Sequence, residues 1–213
     1  MSAPARFITF EGIEGVGKST QVAALAAALG NRQIAHVVTR EPGGTPLAEK
    51  IRSLVLDAVQ ETLPAPAELL LMFAARAVHL ANRIEPDLRS GRWVLCDRFT
   101  DATYAYQGAG RGLGTGIVAS LENFVQGDRR PDLTIVLDLP IAKALERAHL
   151  RNPGAAPDRF ETERAEFFGR VRDAYLARAK ANPQRCVLID ADRPAADVAR
   201  AILSVIESRQ WIS

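Results

Sequence analysis

Residues 12–19 read Gly12-Ile13-Glu14-Gly15-Val16-Gly17-Lys18-Ser19, a complete G-x-x-x-x-G-K-[ST] phosphate-binding loop. The loop follows an apolar run at 7–10 and precedes a helix-forming stretch from Thr20 to Leu29. Its glycines let backbone N–H groups converge on an anion, and the helix that follows adds the positive end of its dipole. Lys18 supplies a point charge, and the Ser19 hydroxyl can bind Mg²⁺. We therefore expect the loop and Thr20 to hold the phosphates of a nucleoside triphosphate.

Length and composition fit one enzyme domain over residues 1–213, since a chain of this length buries a sizeable core. No run approaches the roughly 18 apolar residues of a membrane helix, and the N-terminus lacks a signal-peptide pattern, so we expect a cytoplasmic protein without a membrane partner. The net charge of +2 argues against a nucleic-acid partner. Cys96 and Cys186 lie in apolar runs without a nearby second cysteine, which predicts reduced core residues.

The order of strand-like and helix-like segments predicts an α/β fold, a five-stranded parallel sheet with helices on both faces. The strand segments are short, apolar and rich in β-branched or aromatic residues, as strands buried on both faces should be. We expect strands at 7–10, 34–39, 93–96, 134–139 and 186–189. We expect helices at 18–29, 46–57, 66–89, about 115–126, 140–151, 161–181 and 194–208.

Polar residues follow the first three predicted strands. The phosphate loop follows the first, Arg40-Glu41-Pro42-Gly43-Gly44 the second and Asp97-Arg98 the third. Ligands of open α/β sheets bind beyond the carboxyl ends of the strands, so these segments should converge on one cleft. Asp97 is then expected to orient Mg²⁺, and the Arg98 guanidinium suits a phosphate dianion. Alternatively, the two side chains form a buried ion pair that stabilises the strand end.

The chain contains neither D-x-x-G nor N-K-x-D, which argues against a GTPase switch. Small-molecule kinases remain, with either a hydroxyl or a phosphate as acceptor. A hydroxyl acceptor, as in a deoxynucleoside kinase, needs a general base, for which Glu41 is the candidate. A phosphate acceptor is already a dianion nucleophile near pH 7, because its second pKa is about 6, and needs no base. A non-catalytic ATP-binding switch is a third alternative, which the intact Lys18, Ser19 and Asp97 disfavour.

Five motifs together resemble the bacterial thymidylate kinases, nucleoside monophosphate kinases with the P-loop kinase fold. The similarity extends in order and spacing over nearly the full length. The motifs are the Glu14-containing phosphate loop, Arg40-Glu41-Pro42-Gly43-Gly44-Thr45, Leu71-Met72-Phe73-Ala74-Ala75-Arg76, Asp97-Arg98-Phe99 and Tyr104-Ala105-Tyr106-Gln107-Gly108. The resemblance implies transfer of the γ-phosphoryl group of ATP to dTMP, with Mg²⁺, in a cytosolic homodimer. It also implies a short mobile lid, here at about 147–160, and by resemblance alone a dimer contact through helices 46–57 and 66–89.

The resemblance also assigns roles to residues of the acceptor site. Glu14 matches a carboxylate that contacts the sugar 3′-hydroxyl, and Arg98 matches the arginine that grips the acceptor phosphate, with Arg40 as a second such group. Arg76 matches the arginine that hydrogen-bonds thymine O4. The bend at Glu41-Pro42 often carries a cis proline in the family. The remaining positions, which read the base edge and crowd the sugar 2′ position, are Thr103, Tyr106 and Gln107.

Two features of this chain leave questions open within the family pattern. The stacking phenylalanine of many members stands four residues before the thymine-reading arginine, where this chain has Met72; Phe73 stands three before it. Either side chain could cover the thymine ring. The phosphate loop contains no arginine, so the catalytic cation is expected from the lid, with Arg151 and Arg159 as candidates beside Lys18, Asp97 and Arg98. Within the same segment, Arg147 could instead cap its helix.

Overall fold

A single parallel sheet organises the structure, a computed structural model that describes residues 4–56, 62–151, 160 and 163–212. The strand order within this part of the chain is β2-β3-β1-β4-β5. The strands are β1 (Phe7–Glu11), β2 (His36–Arg40), β3 (Trp93–Asp97), β4 (Leu133–Asp138) and β5 (Cys186–Asp190). All neighbouring pairs are parallel, as the sequence predicted, with strand limits that differ by one or two residues.

Helices connect the strands. They are α1 (Lys18–Asn31), α2 (Pro46–Leu56), α3 (Ala65–His79), α4 (Glu85–Arg89), α5 (Thr100–Thr103), α6 (Thr115–Gln126), α7 (Ile141–Arg151), α8 (Ala165–Ala181) and α9 (Ala195–Ser208). The predicted helix at 66–89 is present as α3, a π-helical segment (Leu80–Ile84) and α4 in direct succession. The helix predicted to begin at 161 instead begins at Ala165, because Arg164 has an extended backbone.

A helical region at 100–110 was missed by the sequence analysis. It consists of α5 and a second π-helical segment (Tyr104–Gly110). Packing against α8 accounts for it, since a Cβ atom at Gly110 would lie 2.6 Å from the Phe167 ring. Glycine at this position lets the segment approach α8 closely, and glycine-rich sequence is by itself a poor indicator of helix.

The core lies on both faces of the sheet. Alternate side chains of a strand point to opposite faces. Ile8 and Phe10 pack in one cluster with Val22 of α1, whereas Phe7 packs in another with Ile84. Helices therefore cover both faces, which confirms the predicted α/β fold. Cys96 and Cys186 are buried free thiols, as expected.

The strand register brings the predicted site segments together. Asp97 at the end of β3 is level with Phe10 on one side and Arg40 on the other. The phosphate loop, the segment after β2 and Arg98 therefore all leave the sheet at the carboxyl ends of neighbouring strands. In the order β2-β3-β1-β4-β5, the connections run to opposite sides of β1, and ligands of such sheets bind at this point. Within the described residues, no helix combines the length and apolar character needed to cross a bilayer.

Candidate active site

The phosphate loop has the geometry that its glycines predict. Gly15 adopts a φ of 76°, and a Cβ atom there would lie 1.8 Å from the carbonyl oxygen of Ala144. Lys18 begins α1, and its Nζ donates to the carbonyl oxygens of Gly12, at 3.1 Å, and Ile13, at 2.9 Å. Burial and the nearby Arg98 lower the pKa of Lys18 to about 8. The negative charge of an incoming phosphate would raise this pKa and so favour the protonated lysine.

Ser19 and Asp97, the two residues expected to bind Mg²⁺, contact each other. The Ser19 hydroxyl donates to Asp97 Oδ2 at 3.0 Å, which places two oxygen donors beside the phosphate loop. Oxygen donors of this kind suit Mg²⁺, which takes few protein ligands and completes its shell with water and phosphate oxygens. In the described part of the chain, no group of three His, Cys, Asp or Glu side chains could hold a metal ion. The residues present therefore fit Mg²⁺ bound together with a nucleotide.

Arg98 lies between the phosphate loop and a second cavity. Its backbone has a φ of 70°, the left-handed conformation, which costs a non-glycine residue about 1–2 kcal/mol. One terminal nitrogen, Nη1, donates to the carbonyl of Gly12 at 2.9 Å and to the Tyr175 hydroxyl at 3.1 Å. The other, Nη2, donates to Glu14 Oε1 at 2.5 Å and to the Tyr106 hydroxyl at 3.0 Å. The guanidinium is thus fixed by four hydrogen bonds.

Glu14 is held as an anion in this arrangement. Burial alone would raise its pKa, but the positive charges of Arg98 and Lys18, with hydrogen bonds from Tyr106 and Arg98, lower it to about 2. The Glu14 carboxylate is therefore bound to the guanidinium group of Arg98, which the resemblance assigned to the acceptor phosphate. A phosphate that binds Arg98 at Nη2 must displace Glu14 or the Tyr106 hydroxyl.

The second cavity adjoins the phosphate loop. Glu14, Glu41, Arg52 and Arg98 line both this cavity and the phosphate pocket. The other residues that line it are Pro42, Leu56, Met72, Ala102, Tyr106, Gln107 and Phe160. We refer to it as the acceptor cavity.

Met72, rather than Phe73, lies in the wall of the acceptor cavity. Phe73 is 2% exposed and packs in a core cluster with Leu69, Tyr104 and Val118. Its ring also contacts the Arg76 guanidinium, with Cζ 4.9 Å from the ring centre. Of the two side chains that the sequence left as alternatives, Met72 lines the acceptor cavity and Phe73 does not.

Arg76 lies behind the cavity wall in a buried polar network. It is 0% exposed and donates through Nε to Glu41 Oε2 at 2.8 Å and through Nη2 to Thr103 at 3.0 Å. The other oxygen of Glu41 binds His79 Nδ1 at 3.0 Å. The Glu41–Pro42 peptide bond is cis. The structure thus brings Glu41 and Pro42 to the cavity wall, with Arg76 and Thr103 fully buried next to them.

Two residues that the resemblance assigns to the base site each have a buried polar atom without a hydrogen-bond partner among the described residues. They are Arg76 Nη1, a donor, and Gln107 Oε1, an acceptor. Arg111, which binds Glu68 as Gln107 does, has a further donor of this kind, Nη2. The Nε2 atom of Gln107 donates to Glu68 at 2.7 Å, which fixes the amide so that Oε1 is the end left over. A buried donor and a buried acceptor without partners are costly, and such pairs are common where a ligand completes the bonding.

Arg40 has a more peripheral place than the other predicted residues. Its exposed side chain lines the phosphate pocket, and Nη2 donates to Glu49 Oε2 at 2.9 Å. Arg52, which the sequence analysis missed, lies nearer to the acceptor cavity and donates to the carbonyl of Pro42 at 2.9 Å. Nothing in its helical context marks it as a site residue, so only the fold could reveal it.

A groove extends from the phosphate loop to the β5–α9 connection. Residues of the loop and of α1 form one side, including Gly15, Lys18 and Thr20, and Arg193 and Pro194 form the other. Arg147 lines this groove too, and its Nη1 donates to the carbonyl of Ala191 at 3.2 Å. Arg147 therefore contacts the nucleotide groove. The Arg151 side chain and Arg159, the predicted sources of the catalytic cation, lie outside the described residues.

Comparison with known proteins agrees with this geometry. The family model described as Thymidylate kinase matches residues 10–202. The chain belongs to the thymidylate kinase family. It is 56% identical to a thymidylate kinase of Pseudomonas fluorescens over 94% of either chain, and 53% identical to one of Methylococcus capsulatus over 96% of either chain. The crystal structure of thymidylate kinase from Ehrlichia chaffeensis matches with a TM-score of 0.76 and 33% identity, over 95% of this chain and 99% of that one.

Proposed function

We propose that the protein transfers the γ-phosphoryl group of ATP to dTMP, giving ADP and dTDP. The observation that carries the proposal is the position of Arg98, whose side chain lines both the phosphate pocket and the acceptor cavity. A guanidinium in that position can bind the acceptor phosphate and direct it at the γ-phosphoryl group. Both sites lie at the carboxyl ends of strands of the same five-stranded sheet, which supports a single catalytic domain over residues 1–213.

The donor would bind with its phosphates in the loop of residues 12–19 and its nucleoside in the groove beside Arg147. Backbone N–H groups and Lys18 then neutralise the phosphate oxygens. Ser19 and Asp97 would hold Mg²⁺, which supplies positive charge to the β- and γ-phosphates. Because the acceptor phosphate is already a dianion near pH 7, positioning and charge neutralisation suffice for its attack.

Glu41 is poorly suited to act as the general base that a hydroxyl acceptor requires. One carboxylate oxygen is bound by Arg76 at 2.8 Å and the other by His79 at 3.0 Å. Both oxygens are therefore already engaged in a buried network, and proton transfer from a substrate hydroxyl would require one of these contacts to be given up. This favours a phosphate acceptor over the hydroxyl acceptor of a deoxynucleoside kinase.

The unpartnered atoms of Arg76 and Gln107 support thymine as the base. Thymine presents an acceptor at O4 next to a donor at N3–H, which complements one donor, Arg76 Nη1, and one acceptor, Gln107 Oε1. Cytosine presents the reverse pattern and would leave both pairs in conflict. Tyr106 and Met72 would form walls around the sugar and the base. Glu14, once displaced from Arg98 by the phosphate, is free to accept from the 3′-hydroxyl.

Exposed apolar side chains support a homodimer. Leu47 and Leu54 on α2, Leu70 on α3 and Phe124 on α6 are all at least half exposed, and Phe124 is 86% exposed. These helices pack side by side, α2 on α3 and α3 on α6, so the residues belong to neighbouring surfaces. Apolar surface of this kind on a water-facing helix layer is typical of a subunit contact. The proposed contact thus adds α6 to the two helices expected from the sequence.

A coupled ADP-release assay with dTMP, dUMP, thymidine, AMP and 5-methyl-dCMP tests the proposed function. We expect dTMP to be the best acceptor and thymidine and AMP to give background rates. The analogue 5-methyl-dCMP keeps the methyl group but reverses the hydrogen-bonding edge, so it should be a poor acceptor. Rapid phosphorylation of thymidine would refute the phosphate acceptor, and equal use of 5-methyl-dCMP would refute the roles of Arg76 and Gln107. A Lys18→Ala variant is the control for contaminating kinases.

A further inference from the structure

The backbone on both sides of Arg98 is held in place by hydrogen bonds. The Arg98 N–H donates to the carbonyl of Phe10 at 2.9 Å. The next peptide group donates from Phe99 N–H to Glu11 Oε1 at 2.7 Å. Since Arg98 adopts a left-handed conformation that is unfavourable for arginine, contacts of this kind are needed to maintain it.

The second oxygen of the same carboxylate reaches the Arg98 side chain through Tyr175. Tyr175, on α8, donates its hydroxyl to Glu11 Oε2 at 2.9 Å and accepts from Arg98 Nη1 at 3.1 Å. Glu11 is 0% exposed and Tyr175 is 2% exposed. One buried carboxylate therefore fixes both the backbone and the guanidinium of Arg98.

Neither Glu11 nor Tyr175 lines the acceptor cavity or the phosphate pocket. A phenylalanine would fill the space of the Tyr175 ring equally well, so core packing alone does not account for its hydroxyl. The two hydrogen-bond partners of that hydroxyl are the Arg98 guanidinium and Glu11, which also binds the backbone next to Arg98. We infer that Glu11 and Tyr175 are positioning residues that aim the Arg98 guanidinium at the acceptor phosphate. This inference rests on the proposed function, in which Arg98 binds that phosphate.

The test compares Tyr175→Phe with the parent protein in dTMP and thymidine binding and in steady-state kinetics. Loss of one of the four hydrogen bonds that fix the guanidinium should raise the dTMP dissociation constant and KM several-fold, less than removal of the whole Arg98 side chain. Thymidine lacks the phosphate, so its affinity should stay within about twofold, as should the KM for ATP. Glu11→Gln keeps the shape of the side chain but replaces one of its two acceptor oxygens with an N–H donor, and it should shift dTMP binding in the same direction.

Tyr104→Phe is the matched control. Tyr104 is also a buried tyrosine, but its hydroxyl donates to Glu122 at 2.6 Å and has no contact with Arg98. We expect this variant to lose thermal stability without a change in the ratio of dTMP to thymidine affinity. An unchanged ratio of dTMP to thymidine affinity in Tyr175→Phe, whether neither affinity falls or both fall equally, would overturn the inference. If the parent itself does not phosphorylate dTMP, the proposed function fails instead, so the two failures are distinguishable.

Discussion

Removal of the Arg98 guanidinium should separate acceptor binding from donor binding. In the structure Nη2 donates to Glu14 at 2.5 Å and to the Tyr106 hydroxyl at 3.0 Å, so a phosphate that binds this nitrogen must replace one of these two partners. Because the phosphate replaces a contact that Arg98 already makes, we take the lower part of the range for a charge-assisted bond, about 1.5–2 kcal/mol. We therefore expect Arg98→Ala to weaken dTMP binding roughly 10- to 30-fold.

The perturbation is cleanest in a Glu14→Gln background. Arg98→Ala alone would leave the partly buried Glu14 carboxylate without its arginine, which is itself destabilising. The comparison of Glu14→Gln with Glu14→Gln/Arg98→Ala avoids this, because no carboxylate is left unpaired. Arg172→Ala, which breaks an ion pair with Asp138 at 2.7 and 2.9 Å, controls for the loss of an arginine elsewhere.

Calorimetric titration with dTMP, thymidine and a non-hydrolysable ATP analogue would measure the effect. The double variant should lose affinity for dTMP relative to Glu14→Gln and keep its affinity for thymidine and for the ATP analogue within about threefold. Equal losses for dTMP and thymidine would mean that Arg98 does not bind the phosphate. Equal losses for dTMP and the ATP analogue would assign it to the donor or to the fold.

Three further predictions concern other residues. Burial and Arg98 lower the pKa of Lys18 to about 8, so at pH 8 the lysine is partly deprotonated and binding of the ATP analogue should take up protons. This uptake should make the binding enthalpy depend on the buffer, and Lys18→Met should abolish the dependence. A binding enthalpy that depends equally on the buffer in both proteins would contradict the prediction. Met72→Ala should raise the KM for dTMP several-fold, beyond the loss of about 2–5 kcal/mol of stability expected for a buried methionine. Phe73→Ala should cost about 3–5 kcal/mol of stability with little change in KM. A larger KM effect from a folded Phe73→Leu than from Met72→Ala would reverse the assignment. Burial and Asp101 raise the pKa of Glu11 from 4.5 to about 8, so between these pH values the folded chain binds a proton that the unfolded chain does not, and the free energy of unfolding should fall as the pH rises from 5 to 8. In urea titrations, Glu11→Gln should reduce this dependence of stability on pH. An unchanged dependence would exclude Glu11 as its source.

The sequence predicted those parts of the site that depend on local spacing. The phosphate loop, Asp97 at a strand end and the bend at Pro42 follow from short patterns whose conformation the backbone itself determines. The sheet edge then brings them together, because the carboxyl ends of parallel strands meet there. For the same reason Ser19 and Asp97, far apart in the chain, could be paired before the structure was known.

Contacts between distant elements could not be predicted in this way. The support of Arg98 by Glu11 and Tyr175 joins β1, β3 and α8, and no periodicity or motif marks either residue. The choice between Met72 and Phe73 depends on the rotation of α3 about its axis, which packing against Tyr104 and Val118 determines. The helical region at 100–110 likewise depends on α8 and on Gly110.

The central claim, that the acceptor is the phosphate of dTMP, is tested most directly by following the γ-phosphoryl group. The protein is incubated with γ-labelled ATP and Mg²⁺ and with either dTMP or thymidine, and the products are separated by chromatography. With dTMP, we predict that the label appears in dTDP in equal amount to the ADP formed, and that Lys18→Ala forms none. Label that is released as inorganic phosphate, or that is transferred to thymidine to give dTMP at a comparable rate, would contradict the account.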